Sequence, residues 1–346
     1  MTNGDFNNKY LIKTIIIITG IIIIVLTLGS IFTVSKYKIN IFNLDDSSVI
    51  HDSEDITFPK NQKVKLYDSK NGKVLNIDLE EYVMGVVCAE MPAEFNEEAL
   101  KAQAVAARTY YMSKRKTKCT VAKKYGGEIC ATAHCQAYMS KEERMSLWSK
   151  KKADEYWDKI KDAVSETEGE ILTYDNKLVE YPEYFAISPG KTEDCADVFS
   201  FNVPYLKSEE SKGEEIAPKY SSEKSISMDE FINTIKSKYP SCNINRSNFK
   251  DIVKICDFTG SGAVKNMLIG NEKIKGSKFR SLFSLNSTDF KLEYTSDKVN
   301  VYCTGYGHNV GMSQWGANVL AKKGYSYEEI LKHYYNGVDI DKIIKK

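Results

Sequence analysis

Glu90 stands where an apolar helical stretch, Glu80 to about Met91 in DLEEYVMGVVCAEMP, has to stop, because Pro92 brings no backbone N–H and its ring clashes with the preceding turn. A carboxyl group there meets the negative end of the helix dipole and loses solvent to Val87 and Met91. Both effects hold the proton on, as a general acid working near neutral pH requires. Such a group can protonate a leaving oxygen and then, as carboxylate, take a proton back. Glu94, Glu97 and Glu98 follow closely, but acidic residues at a helix start answer the dipole without chemistry. No second carboxylate announces itself.

Two polar intrusions come next. A helix is expected from Glu97 to about Lys116, capped by Asn96 and apolar on opposite sides through Leu100, Ala104, Ala107, Tyr111 and Ala102, Val105, Ala106, the pattern of a buried helix. Gln103 and Arg108 interrupt it. An interior guanidinium needs a carboxylate partner or a ligand, so Arg108 is either an internal ion pair or a cleft residue. Further on, Cys119, Cys130, His134 and Cys135 put three thiols and an imidazole in one loop, the donor types that zinc prefers. The spacing leaves three readings open: a structural zinc site, drawing on His308 if adjacent His134 and Cys135 cannot both reach the ion, one disulfide, or neither. His308 and Gln314 lie in TGYGHNVGMSQWG, where glycines 305, 307, 311 and 316 allow sharp turns beside polar side chains.

The elements that must position these groups form an α+β body, with helices and antiparallel hairpins making a cleft. Gln62 to Ile77 alternates around Lys70-Asn71-Gly72, and EILTY pairs with KLVEYPEYFAIS around Asp175-Asn176, both hairpin signals. Glu142 to Thr167 reads as one amphipathic helix, with Trp157 as core rather than a sugar platform. Strands are expected within Ile252–Ile269 and Lys291–Thr304, a helix over residues 227–240 behind Ser227, and another from Gln314 to Lys322. SPGKTEDCADVF is a glycine-containing turn without Walker spacing, so it is no P-loop. A net charge of +1 offers no global reason to bind nucleic acid. The uncharged, isoleucine-rich run Thr14 to Ser35 is long enough to cross a ~30 Å hydrocarbon core and too long for a typical signal-peptide h-region. The expected order is a cytoplasmic tail (1–13), one transmembrane helix (14–35), a stalk (36–61) and an extracytoplasmic catalytic body (62–340).

GVVCAEMP followed by EALKAQAVAARTYY resembles the signature of the SpoIID/LytB family of peptidoglycan-acting proteins, and the resemblance continues through several ordered motifs to Val338. Ser188 to Phe199 is similar to the family's glycine-rich S-x-G-G-x-T-E segment, with Pro189 for a glycine and Ala186 where a histidine is usual. Thr304 to Val338 resembles its C-terminal signature, with Asn309 replacing a glycine. The resemblance implies lytic cleavage of glycan strands, with Glu90 as the single acid and base. It also implies a cleft holding Gln136, Tyr138, Ser188, Thr192, Tyr205 and Lys207, beside Gln103, Arg108, His308 and Gln314. It further implies a role in forespore engulfment from the mother-cell membrane, with a cell-wall amidase and other engulfment membrane proteins as partners. The competing reading is a glycan-binding partner or enhancer of an amidase.

Overall fold

The computed structural model describes residues 56–132, 134–199 and 201–345. The expected membrane span and most of the stalk lie outside that range. Among the described residues no helix is long and apolar enough to cross a membrane. The body is a mixture of helices and small sheets built around two apolar cores.

The first core forms around two helices. Helix α1 (Leu79–Glu90) ends where Pro92 demands, and α2 (Glu97–Thr117) starts behind Asn96, whose side chain accepts the Glu98 N–H at 3.0 Å. Ala99, Ala102, Ala104, Ala106 and Ala107 are all fully buried. Their small side chains let neighbours approach α2 from every side, which is how a helix without a polar face becomes the centre of a body. Strands β1 (Val64–Asp68) and β2 (Lys73–Ile77) form the first hairpin, and β3 (Ile129–Cys130) adds parallel to β1.

Glu142 to Thr167 does not form one helix. It divides into Lys141–Leu147 and α3 (Ala153–Glu166), because Trp148 turns extended and packs edge-on against Tyr156 at 5.5 Å. Trp157 is core, as expected. Strand β4 (Glu170–Tyr174) pairs with Lys177–Leu178 across Asp175 and Asn176, both in the left-handed region at φ 49° and 60°. The second hairpin strand is shorter than its sequence suggests, and β5 (Tyr184–Phe185) leaves to pair elsewhere.

Residues 221–304 build the second core. Its sheets are β6 (Ser221–Ser227) with β10 (Phe290–Tyr294) and β11 (Lys298–Thr304), and β7 (Val253–Phe258) with β8 (Val264–Ile269) and β9 (Glu272–Lys275). Helix α4 (Met228–Lys238) is capped by Ser227. Phe231, Phe249, Phe279 and Phe283 meet at its centre, with Phe231 to Phe283 stacked at 4.7 Å. This core touches the first through Thr259 Oγ1, which donates to Glu193 Oε1 at 3.0 Å, and through the Lys265–Asp197 ion pair at 2.6 Å.

The chain then re-enters the first core. Strand β12 (Met312–Ser313) runs parallel to β5, α5 (Gln314–Lys322) follows at once, and α6 (Tyr327–Tyr334) leads to β13 (Asp339–Lys342), antiparallel to β4. Ile344–Lys345 pairs with Thr57–Phe58, so ordered structure begins ahead of Gln62 and passes residue 340.

Candidate active site

Glu90 is the last residue of α1, partly buried beneath two donors from distant segments. The Ala137 N–H reaches its Oε1 at 2.9 Å and the Gln314 carboxamide its Oε2 at 3.1 Å. Burial raises its pKa, and the two hydrogen bonds oppose that rise without cancelling it. Neither donor carries a charge, so only dipoles oppose the hold on the proton that burial provides.

The donors are themselves braced. Gln314 opens α5 directly after β12, and its amide also donates to Gln103 Oε1 at 3.4 Å, so the polar intrusion in α2 orients the glutamine that meets Glu90. Gln136 accepts from Tyr82 Oη at 2.7 Å and donates to Tyr184 Oη at 2.8 Å, which fixes the segment carrying the Ala137 N–H. Tyr138 lies parallel to Tyr82 with ring centroids 6.0 Å apart, over Gly85, where a Cβ would come within 2.2 Å of the Tyr138 ring. Gln314 thus meets Glu90 with Gln103 behind it, Gln136 braces the segment carrying the Ala137 N–H, and Tyr138 packs on Tyr82 and Gly85.

Arg108 does not join them. Its guanidinium is fully buried and grips Glu80 through Nε at 3.1 Å and Nη2 at 2.5 Å, with Nη1 on the Glu170 carbonyl at 2.9 Å. Glu80 is at the opposite end of α1, ~15 Å from Glu90 at 1.5 Å of rise per residue. The reason is burial: a charge at the centre of α2 is tolerable only when paired at once.

The Ser188–Ser211 region is likewise occupied with itself. The Thr192 hydroxyl accepts the Glu209 N–H at 2.8 Å, Tyr205 Oη accepts the Tyr181 N–H at 3.2 Å, and Lys207 pairs with Asp194 at 3.1 Å. The Ser188 N–H donates to Glu214 Oε2 at 2.8 Å. Glu214 was not singled out in the sequence, yet it is nearly fully buried and also accepts from Ser211 at 2.5 Å and from Ser313 at 2.6 Å. Ser313 caps α5, so Glu214 ties the Ser188 turn to the helix that begins with Gln314. Burial pushes the Glu214 carboxyl up to about 7 against those donors. Gly316 fits beneath this knot because a Cβ would lie 2.0 Å from Tyr334 Oη.

The Cys/His loop closes on itself. Cys119, Cys130 and Cys135 Sγ lie 3.3, 3.7 and 3.4 Å from His134 Nδ1, and all four ligand atoms fall within 4.8 Å of one another. Edges of a zinc tetrahedron built from Zn–S and Zn–N bonds are ~3.6–3.8 Å, so adjacent His134 and Cys135 do reach a common point, against the expectation from their spacing. His308 is not part of this cluster. The Cys130 and Cys135 sulfurs stand 3.5 Å apart without a bond between them.

His308 faces another wall. Its Nδ1 accepts the Val310 N–H at 3.2 Å, and its Nε2 lies 3.9 Å from Glu183. Burial holds its pKa down at about 4, with the Arg280 charge acting in the same direction. Asn309, in place of the usual glycine, takes a left-handed φ of 64° and donates to Ser287 Oγ at 3.2 Å. The asparagine thereby keeps the glycine's backbone shape and adds a tie to the second core.

A sequence profile described as SpoIID, Stage II sporulation protein, matches residues 67–174. Stage II sporulation protein D of Bacillus subtilis (strain 168) is 38% identical over 277 residues, covering 80% of this chain and 78% of its own, and that of Bacillus amyloliquefaciens is 37% identical over the same length and shares. An amidase enhancer of Bacillus subtilis is 28% identical over 303 residues, 74% of this chain and 40% of its own. With 38% identity across 80% of its length, the chain belongs to the stage II sporulation protein D family of sporulation proteins.

Proposed function

We propose that the protein is a membrane-anchored lytic transglycosylase that cleaves peptidoglycan glycan strands during forespore engulfment. The observation that carries this reading is Glu90, a partly buried carboxyl with a raised pKa whose two hydrogen-bond donors, the Ala137 N–H and the Gln314 carboxamide, are both neutral. Its proton passes to the glycosidic oxygen as the C1–O bond breaks. The resulting carboxylate takes the proton from the same sugar's 6-hydroxyl as that oxygen bonds to C1, leaving a 1,6-anhydro end and restoring the acid. One carboxyl suffices because no water is activated, unlike in ordinary glycoside hydrolysis.

On this reading the Thr14–Ser35 run sits in the mother-cell membrane, with residues 1–13 in the cytoplasm and the body outside facing the forespore. Zinc fits the donor set of Cys119, Cys130, His134 and Cys135 as a structural ion. When bound, it would clamp the loop whose continuation supplies Gln136 and the Ala137 N–H to the site.

Purified full-length protein should release fragments with anhydro ends from glycan strands, each one water lighter by mass spectrometry than a hydrolytic end. Reducing ends alone would make it a muramidase. The amidase-enhancer relative favours a second reading, in which the chain chiefly binds glycan and recruits an amidase. Binding without turnover, together with complementation in cells by a Glu90→Gln variant, would establish that reading instead.

A further inference from the structure

Glu183 immediately precedes β5 and is locked by its backbone: its carbonyl accepts from the Met312 N–H at 3.1 Å and from Tyr335 Oη at 2.8 Å. Gly311 closes over the same carbonyl, where a Cβ would stand 2.0 Å away. The carboxylate has no such partners. Among the described residues no donor lies within hydrogen-bonding distance of it, and its side chain retains 21% exposure. Burial holds the Glu183 pKa above its ordinary value, with the Lys114 charge opposing, and donors from outside the chain would favour the ionised form.

His308 Nε2 lies 3.9 Å from this carboxylate. Because Nδ1 accepts the Val310 N–H, the ring proton of the neutral imidazole sits on Nε2, the nitrogen on the Glu183 side of the ring. The imidazole stays neutral above about pH 4, so this is not an ion pair that would account for the carboxylate. The other ionisable groups around Glu183 are Lys114, Tyr110, Tyr181 and Tyr335. Tyr110 also feels the sulfurs of Cys135, Cys130 and Cys119, so this wall continues toward the loop that supplies Ala137 to Glu90.

Beside the pair runs a ladder of partly exposed rings. Phe199 meets His308 at 5.4 Å, Phe199 and Phe201 stack at 5.1 Å, and Phe201 and Tyr181 stack at 3.9 Å. A pyranose has an apolar C–H face and a rim of hydroxyl and acetamido N–H donors. Flat rings next to an acceptor-only carboxylate and one N–H donor match both parts of it.

We infer that Glu183, with His308 and the Phe199–Phe201–Tyr181 ladder, forms a saccharide subsite in which the Glu183 carboxylate accepts hydrogen bonds from an N-acetylated sugar. The inference deepens the glycan-cleaving reading and rests on it. Glu183 binds and orients the sugar, while Glu90 alone transfers the proton.

The test measures binding of a β-1,4-linked N-acetylglucosamine tetramer to full-length protein in detergent, with Glu90→Gln as the parent to prevent turnover. Adding Glu183→Ala should weaken binding at least tenfold. The parent's affinity should fall as pH is lowered from 8 to 4, as the carboxylate takes up a proton, and this dependence should vanish in the Glu183→Gln background, with an unchanged melting temperature showing that the fold is kept. Equal affinity in parent and Glu183→Ala overturns the subsite and leaves the glycan reading intact. A parent that binds no tetramer at any pH overturns both.

Discussion

The two ends of helix α1 each carry a glutamate against a neighbouring element, and they are treated in opposite ways. Glu80 receives a guanidinium, three charge-assisted bonds from Arg108 at 2.5 to 3.1 Å. Glu90 receives an amide from Gln314 and a backbone N–H from Ala137. A carboxylate paired with a cation gives up its proton and serves as structure. A carboxyl met only by dipoles in a dry setting keeps its proton available. Within one helix, the charge of the partner separates a joint from a candidate acid.

Glu90→Gln should have the largest effect. It keeps the shape and both neighbours but has no proton to give, so glycan cleavage should fall by about 10³-fold in a turnover assay while the melting temperature stays put. Arg108→Met at the other end should do the reverse, costing about 3 kcal/mol in denaturant unfolding, because the buried pair loses one partner. Turnover per folded molecule should be unchanged, and a specific loss of turnover would return Arg108 to the cleft.

Gln314→Leu sharpens the contrast. It removes a donor that favours the charged form, so the basic limb of the pH–rate profile should move to higher pH; a move to lower pH would show that Gln314 acts otherwise. Smaller still is the effect expected at Glu214. Its pKa is raised in the fold from 4.5 to about 7, so the folded state binds more protons than the unfolded chain, and stability should decline as pH rises from 4.5 through 7. Glu214→Gln should flatten that slope in melting curves. Chelation should lower the melting temperature of wild-type protein and leave a Cys119→Ser variant little affected, if zinc holds the loop.

The helix stop at Pro92, the Asn96 cap, both hairpin turns and the start of α5 at Gln314 were all legible, because each depends on residues a few positions apart. The break at Trp148 was not, since nothing local forbids helix there and its packing on Tyr156 decides it. Tyr205, Lys207 and Thr192 read as cleft residues from their motif, yet their bonds go to Tyr181, Asp194 and Glu209, partners chosen by the turn of the loop. Glu183 and Glu214 carried no local signal at all.

By itself the sequence determined where a proton donor could stand, since a proline two residues on ends the helix and the neighbours of Glu90 are apolar. It also determined that Arg108 needed a partner. Which partner was a tertiary decision: Glu80 lies 28 residues away, Gln314 comes to Glu90 from 224 residues away and Ala137 from 47. Helices and turns follow from short-range sterics and capping, whereas the sign of the charge beside a carboxylate depends on long-range packing.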